Sequence, residues 1–151
     1  MKNKNHIESV RIEHKSDPDS DASDLGTYSN QRNNRWAIER ENALNGEYRW
    51  FNPNANNYAG CTDEECAKYC RQDYERAEAL NAGQWSYVGI VAKAVVRSAS
   101  GVSQTLRSGG LWGIESDSDK SYFEEVARDE LASLREELKD FARRIGTVGY
   151  Y

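Results

Sequence analysis

Apolar side chains recur along this chain with two periods, and the period assigns the elements. In HIESVRIEH, Val10 and Ile12 fall on one face and Arg11 and Glu13 on the other, the period of two that marks a strand. KSDPDSDASDLG is built from helix and strand breakers, and with the polar run SNQRNNR it predicts a polar loop over 15–34. RWAIER then reads as a short strand with Trp36 and Ile38 on one face. Asn45-Gly46 is a hairpin signal; Tyr48 and Trp50 share a face of the returning strand, which Asn52-Pro53 stops.

After the loop NANNYAGC, Thr62 and Glu65 form a capping box. The helix behind it, DEECAKYCRQDYERAEALN, carries Cys66, Tyr69, Cys70, Ala77 and Leu80 at helical spacing, and Gly83 lies just past its end. QWSYVGIVAKAVVR is the strongest strand. Val88, Ile90, Ala92, Ala94 and Val96 point one way, and Trp85, Tyr87, Lys93 and Arg97 the other. SASG turns the chain and VSQTLRS pairs back. After Gly109-Gly110, LWGIE is a further short strand or the bent end of the same one.

A long helix from Asp119 to Ile145 closes the pattern, with a seam of Ala127, Leu131, Leu134, Leu138, Phe141 and Ile145, extended by Phe123 and Val126. Gly146 is expected to end it. At 1.5 Å per residue it is roughly 40 Å long. That is longer than a small sheet needs, so the end overhangs the sheet or meets a second copy. The expected fold is α+β: an antiparallel sheet of about four to six strands with two helices, the C-terminal one long, packed on one face. One domain is expected over 1–151, with 1–5 disordered.

Composition narrows the classes. Only 38% of residues are apolar, so four Trp and nine Tyr must supply much of the core area. A net charge of −5 argues against a wholly basic nucleic-acid binder and is too small for a nucleic-acid mimic. No apolar run is long enough to span a membrane, and MKNKNHIESV lacks the apolar stretch of a signal peptide. Three cysteines, an odd number, suit a reducing compartment, and a cytoplasmic location is expected.

Glu115, Asp117 and Asp119 form an acidic comb that could hold a hard cation such as Mg²⁺ or Ca²⁺. The same residues, with Ser116, Ser118, and a second capping box of Ser121 and Glu124, suit the start of a helix, and that is the preferred reading. Asp17, Asp19 and Asp21 match the first positions of a calcium loop. Ala22 and Tyr28 then stand where Gly and Glu are needed, so a solvated loop is expected. Cys61, Cys66 and Cys70 lack close C-x-x-C pairing and a nearby histidine; core packing is expected, with a weak thiol-metal site as the alternative. No nucleophile elbow, phosphate loop, zincin or deaminase motif occurs, and the two histidines lie near one end. A non-enzymatic protein without a cofactor follows, with a small metal-dependent hydrolase at the comb as an alternative.

Between Glu78 and Glu115 there is no acidic residue. Lys93, Arg97 and Arg107 lie in that stretch with Trp85, Tyr87 and Trp112. Rings and cations on one sheet face suit a protein partner, whose hot spots favour Trp, Tyr and Arg. They also suit single-stranded nucleic acid, which stacks on rings and pairs with cations. The third reading places these rings in the core, under the long helix. These six residues are the candidate partner-binding site. The helix seam also fits a homodimer.

GEYRWFNPN (Gly46–Asn54), GQWSYVGIVAKA (Gly83–Ala94) and QTLRSGGLWGIESDSD (Gln104–Asp119) resemble a family of small accessory proteins of phages, prophages and other mobile elements. The third segment is the most specific. The resemblance runs from Ile7 to Leu138 and carries no catalytic or ligand residues. It implies an intracellular protein of a bacterial host, dispensable for virion building, that binds and inhibits a host macromolecular machine such as a CRISPR or other defence complex.

Overall fold

The computed structural model describes residues 4–41 and 43–148. The fold is α+β, with two helices, the C-terminal one long, and seven antiparallel strands among the described residues. The strands divide between two sheets, where the periodicity suggests one. The chain forms two compact units, 1–18 with 86–151 and 19–85, each with its own sheet, helix and core.

In the first unit, β1 (His6–Ser16) and β5 (Tyr87–Arg97) pair over their whole length, Ile12 opposite Ala92 and Arg11 opposite Lys93. β6 (Ser103–Arg107) and β7 (Leu111–Glu115) follow one another along the opposite edge of β5. Between them the buried Ser108 keeps the ladder closed. Its N–H donates to the Ala92 carbonyl, and its Oγ accepts from the Ala92 N–H, both at 2.9 Å. LWGIE is thus a strand of its own, separated from β6 by the Ser108-Gly109-Gly110 strap.

Helix α2 (Lys120–Val148) packs on the face of β5 that carries Val88, Ile90, Ala92, Ala94 and Val96. Ala92 and Ala94, fully buried, leave room for Leu134, which is 1% exposed. Such a knob stabilises by about 1.5–3 kcal/mol relative to exposure. Phe123, Val126, Leu131 and Leu138 extend the contact as the seam predicts. The helix runs through Gly146 to Val148 rather than stopping there, because one glycine inside a helix costs only about 1 kcal/mol. The Ile145 side chain and residues 1–3 of the expected disordered start lie outside the described residues.

In the second unit, β4 (Trp50–Pro53) lies between β2 (Gly26–Ser29) and β3 (Ile38–Glu39). The expected 15–34 loop is therefore shorter. Its first residues finish β1, and Tyr28 pairs with Phe51 in β2. A four-residue strand carries too little alternation to stand out from a polar run. Asn45-Gly46 does form a turn, with the Glu47 N–H donating to the Leu44 carbonyl and Gly46 at φ 89°. The ladder closes only at Glu39 and Trp50, so this is a wide loop rather than a tight hairpin, and Tyr48 lies outside the strand and exposed.

Helix α1 (Asp63–Asn81) starts at Thr62, whose Oγ1 accepts from the Glu65 N–H as the capping box requires. It buries Cys66, Cys70, Tyr74 and Ala77, whereas Tyr69 is exposed. Phe51 is fully buried against Tyr74 and Ala77, with Leu25, Tyr28 and Ile38 around them. Cys66 and Cys70 pack on Tyr58 and Trp36, small apolar groups in a core.

Candidate partner-binding face

Strand register decides which side chains share the uncovered face of the first sheet. Residues opposite one another in an antiparallel pair point the same way. Arg11 of β1 stands opposite Lys93 of β5, and Lys93 opposite Arg107 of β6. Three cations therefore form a row across three neighbouring strands, on the face away from α2. Like charges directly opposite are destabilising by roughly 0.2–1 kcal/mol per pair. Lys15, opposite Gly89, adds a fourth cation to that face.

The row is only partly neutralised. Arg107 Nε lies 3.5 Å from Glu13 Oε1, and Arg97 is paired with Glu8. The Glu13 contact is an ion pair without hydrogen-bond alignment, and that buried oxygen makes no hydrogen bond. Arg11, Lys15 and Lys93 form no ion pair among the described residues.

Beside the row lies an indole plate. A Cβ added to Gly89 would overlap Cε3 of Trp112, with Cζ3 at 2.5 Å and Cδ2 at 2.6 Å. The Trp112 ring thus rests on bare backbone where a side chain would otherwise stand. Its Nε1 donates to the Gly109 carbonyl at 3.1 Å, and 45% of the residue remains exposed. Gly110, at φ 84°, brings the strap against Val91 and the indole nitrogen, a conformation and an approach that suit glycine. Tyr87 is partly buried, opposite Glu115. Asp17 anchors this end of the sheet. It is 8% exposed; its Oδ2 accepts from the Gly113 N–H at 2.7 Å, and its own N–H donates to the Tyr87 carbonyl.

Five of the six candidates, Tyr87, Lys93, Arg97, Arg107 and Trp112, belong to this sheet. Trp85 does not. It lies in the second unit, 3% exposed, with Nε1 donating to the Arg76 carbonyl and the Arg76 guanidinium 3.8 Å from its ring centre. β5 begins at Tyr87, so the alternation that would carry Trp85 to the cation face stops before reaching it. Arg11, Lys15 and Gly89 were not among the candidates. The alternation of HIESVRIEH already separates Arg11 from Val10 and Ile12, but only the β1–β5 register sets it beside Lys93.

The comb does not form a cation cage. Glu115 ends β7, its carbonyl accepts from Ser118, and the Asp119 carbonyl accepts from the Tyr122 and Phe123 N–H groups in the first turn of α2. Among the described residues no three His, Cys, Asp or Glu side chains converge to hold a metal, the three cysteines included. Asp21 sits in a local turn, where hydrogen bonding with the Ser23 side chain, and then with the Ser23 N–H, holds its carboxyl below the usual range. A cleft of about 340 Å³ in the second unit is lined by Arg40, Glu78, Tyr74 and Gln84. Its charges are engaged in structure: Arg40 Nε donates to Glu78 at 2.7 Å, and that bond holds the guanidinium firmly protonated. No helix among the described residues is long and apolar enough to cross a membrane. No protein-family model, curated protein or solved structure matches the chain.

Proposed function

We propose that this chain is a non-enzymatic binding protein that docks an anionic surface of a macromolecular partner on the outer face of its first sheet. The observation that carries this reading is the cation row Arg11–Lys93–Arg107, kept at a cost in stability and flanked by the Trp112 plate. Cations with acids beside them and one large exposed ring make up the mixed surface of a protein interface, where a few Trp and Arg anchors dominate affinity. The mobile-element resemblance makes the partner a host defence assembly, such as a CRISPR complex, met inside a bacterial cell, with inhibition by occlusion as the outcome.

The test is capture of a stoichiometric partner from bacterial lysate by tagged parent, Lys93→Glu and Trp112→Ala chains. Recovery by the parent and loss in both folded variants is expected. A partner retained by both variants, or none recovered by the parent, removes the proposal.

A second reading is direct binding of single-stranded nucleic acid, favoured by one observation, the half-exposed indole beside three aligned cations. A salt titration with a fluorescent oligonucleotide separates the two. Phosphate contacts weaken steeply as salt rises, and absence of binding at low salt ends this reading.

A further inference from the structure

β1 is an edge strand of 11 residues, bonded to β5 on one side only. Exposed strand edges are templates for pairing, and proteins usually blunt them with charges, prolines or short length. This edge has no proline, and its residues 6–11 are exposed, including the apolar Ile7 at 52% and Val10 at 47%. Its charges alternate in sign on one face: Arg11, Glu13, Lys15.

That order selects a partner. When an antiparallel strand pairs with a second copy of itself about a two-fold axis, one residue faces its own twin and the others face their mirror positions. Centred on Arg11, the pairing sets Arg11 against Arg11. Centred on Glu13, it sets Glu13 against Glu13 and Arg11 against Lys15. Centred on Ile12, it places each Arg11 opposite the Glu13 of the other copy, twice, and Val10 opposite His14 on the core-side face. Centred on His14, it sets Glu13 opposite Lys15 twice but pairs only residues 12–16 of the strand. The Ile12 register gives its two opposite-charge pairs within the longer overlap of residues 8–16, each pair of the cross-strand kind that stabilises sheets. It also gives an opposite charge to Arg11, which forms no ion pair among the described residues.

We infer that the chain forms a two-fold homodimer by β1–β1 antiparallel pairing centred on Ile12, with Arg11 and Glu13 exchanged between copies. The dimer joins two four-stranded sheets into one and leaves Lys93, Arg107 and Trp112 of each copy facing outward. It stands whether or not that face binds a partner. It differs from a dimer through the α2 seam, whose Leu131, Leu134 and Leu138 are engaged with the chain's own sheet.

The experiment is sedimentation equilibrium of the full chain over a wide concentration series, for the parent, Arg11→Glu, Glu13→Arg and the double charge swap. The parent is expected to be a dimer. Each single variant sets like charges opposite at both pairs and should raise the dissociation constant roughly tenfold or more. The double swap restores opposite charges and should recover dimerisation. Circular dichroism and a thermal melt establish that each variant folds. A monomeric parent overturns the proposal, as does a dimer indifferent to Arg11→Glu. Single variants that dissociate without recovery in the double swap overturn the Ile12 register.

Discussion

Gly89→Ala pits two physical effects against each other. Gly89 lies inside β5 with an ordinary negative-φ backbone, and in a strand alanine is preferred to glycine by roughly 0.5–1 kcal/mol. Backbone propensity alone therefore makes the variant more stable. The structure reverses the sign, because the new methyl group would occupy the space of the Trp112 ring. If the ring stays, overpacking costs about 1–3 kcal/mol. If the ring leaves, the loss has an upper bound. A Trp side chain carries ~250 Å², and with 45% exposed just over half is withdrawn from water. At ~25 cal/mol/Å² that is about 3 kcal/mol, and the Nε1 bond to Gly109 adds about 1 kcal/mol. The chain takes the cheaper route, so the net destabilisation after the alanine gain is about 1–2 kcal/mol. That corresponds to a Tm lower by about 2–8 °C.

The assay is urea unfolding of the parent, Gly89→Ala, Trp112→Ala and the double variant. In the Trp112→Ala background the obstacle is gone, and Gly89→Ala should be neutral or stabilising. The cycle thus isolates a coupling of about 1–3 kcal/mol between two residues in contact. A Gly89→Ala chain as stable as the parent, or equally damaged with and without the indole, refutes the plate.

Three further outcomes follow from single contacts. Asp17→Ala removes a charged acceptor from the Gly113 N–H and should lower stability by about 1.5–3 kcal/mol in the same urea assay, far more than a solvated loop residue would. Thr62→Ala removes the N-cap of α1 and should cost about 1 kcal/mol, read as a lower Tm by circular dichroism. Burial raises the pKa of the Cys66 and Cys70 thiols and of the Tyr28, Tyr58 and Tyr74 hydroxyls, helped by Glu78 at Tyr28 and by Asp73 at Tyr58. The unfolded chain then loses these protons first, so the stability they contribute is full below about pH 8.5 and declines as pH rises further. Urea midpoints measured upward from about pH 8 should fall, and a flat profile would contradict the burial of these groups.

Local chemistry was the legible part of this fold. Helix α1 runs from Asp63 to Asn81 because Thr62 caps it and Gly83 lies past its end, signals contained within a few residues. β5 was equally plain, since five apolar residues alternate along it. The division into two sheets was not legible. It rests on Tyr28 meeting Phe51 and on Arg11 meeting Lys93, pairings between distant segments that no local period encodes. Asp17 was hidden for a related reason. Among Asp19, Asp21 and Asp24 it looks like one more solvated acid, and only the path of the chain from β1 past the start of β5 brings it under Gly113.

The proposed docking face depends on register more than on composition. Lys93 faces outward because Ala92 and Ala94 face Leu134, and a slip of one residue would bury the ammonium and expose the alanines. Irregularities between Ile7 and Ser9 in β1, and between Leu111 and Ile114 in β7 opposite Val88–Ile90, bracket the stretch where the three cations align. Bulges of this kind pin register and re-aim side chains. One of them adjoins Gly89, the residue on which the indole rests. The packing that closes the core under α2 therefore also sets the cation row and the indole plate side by side. A variant that shifts the β1–β5 register while leaving every residue of the face in place should lose partner binding together with core stability. Substitutions of Lys93 or Trp112 should lose binding at little cost to the core.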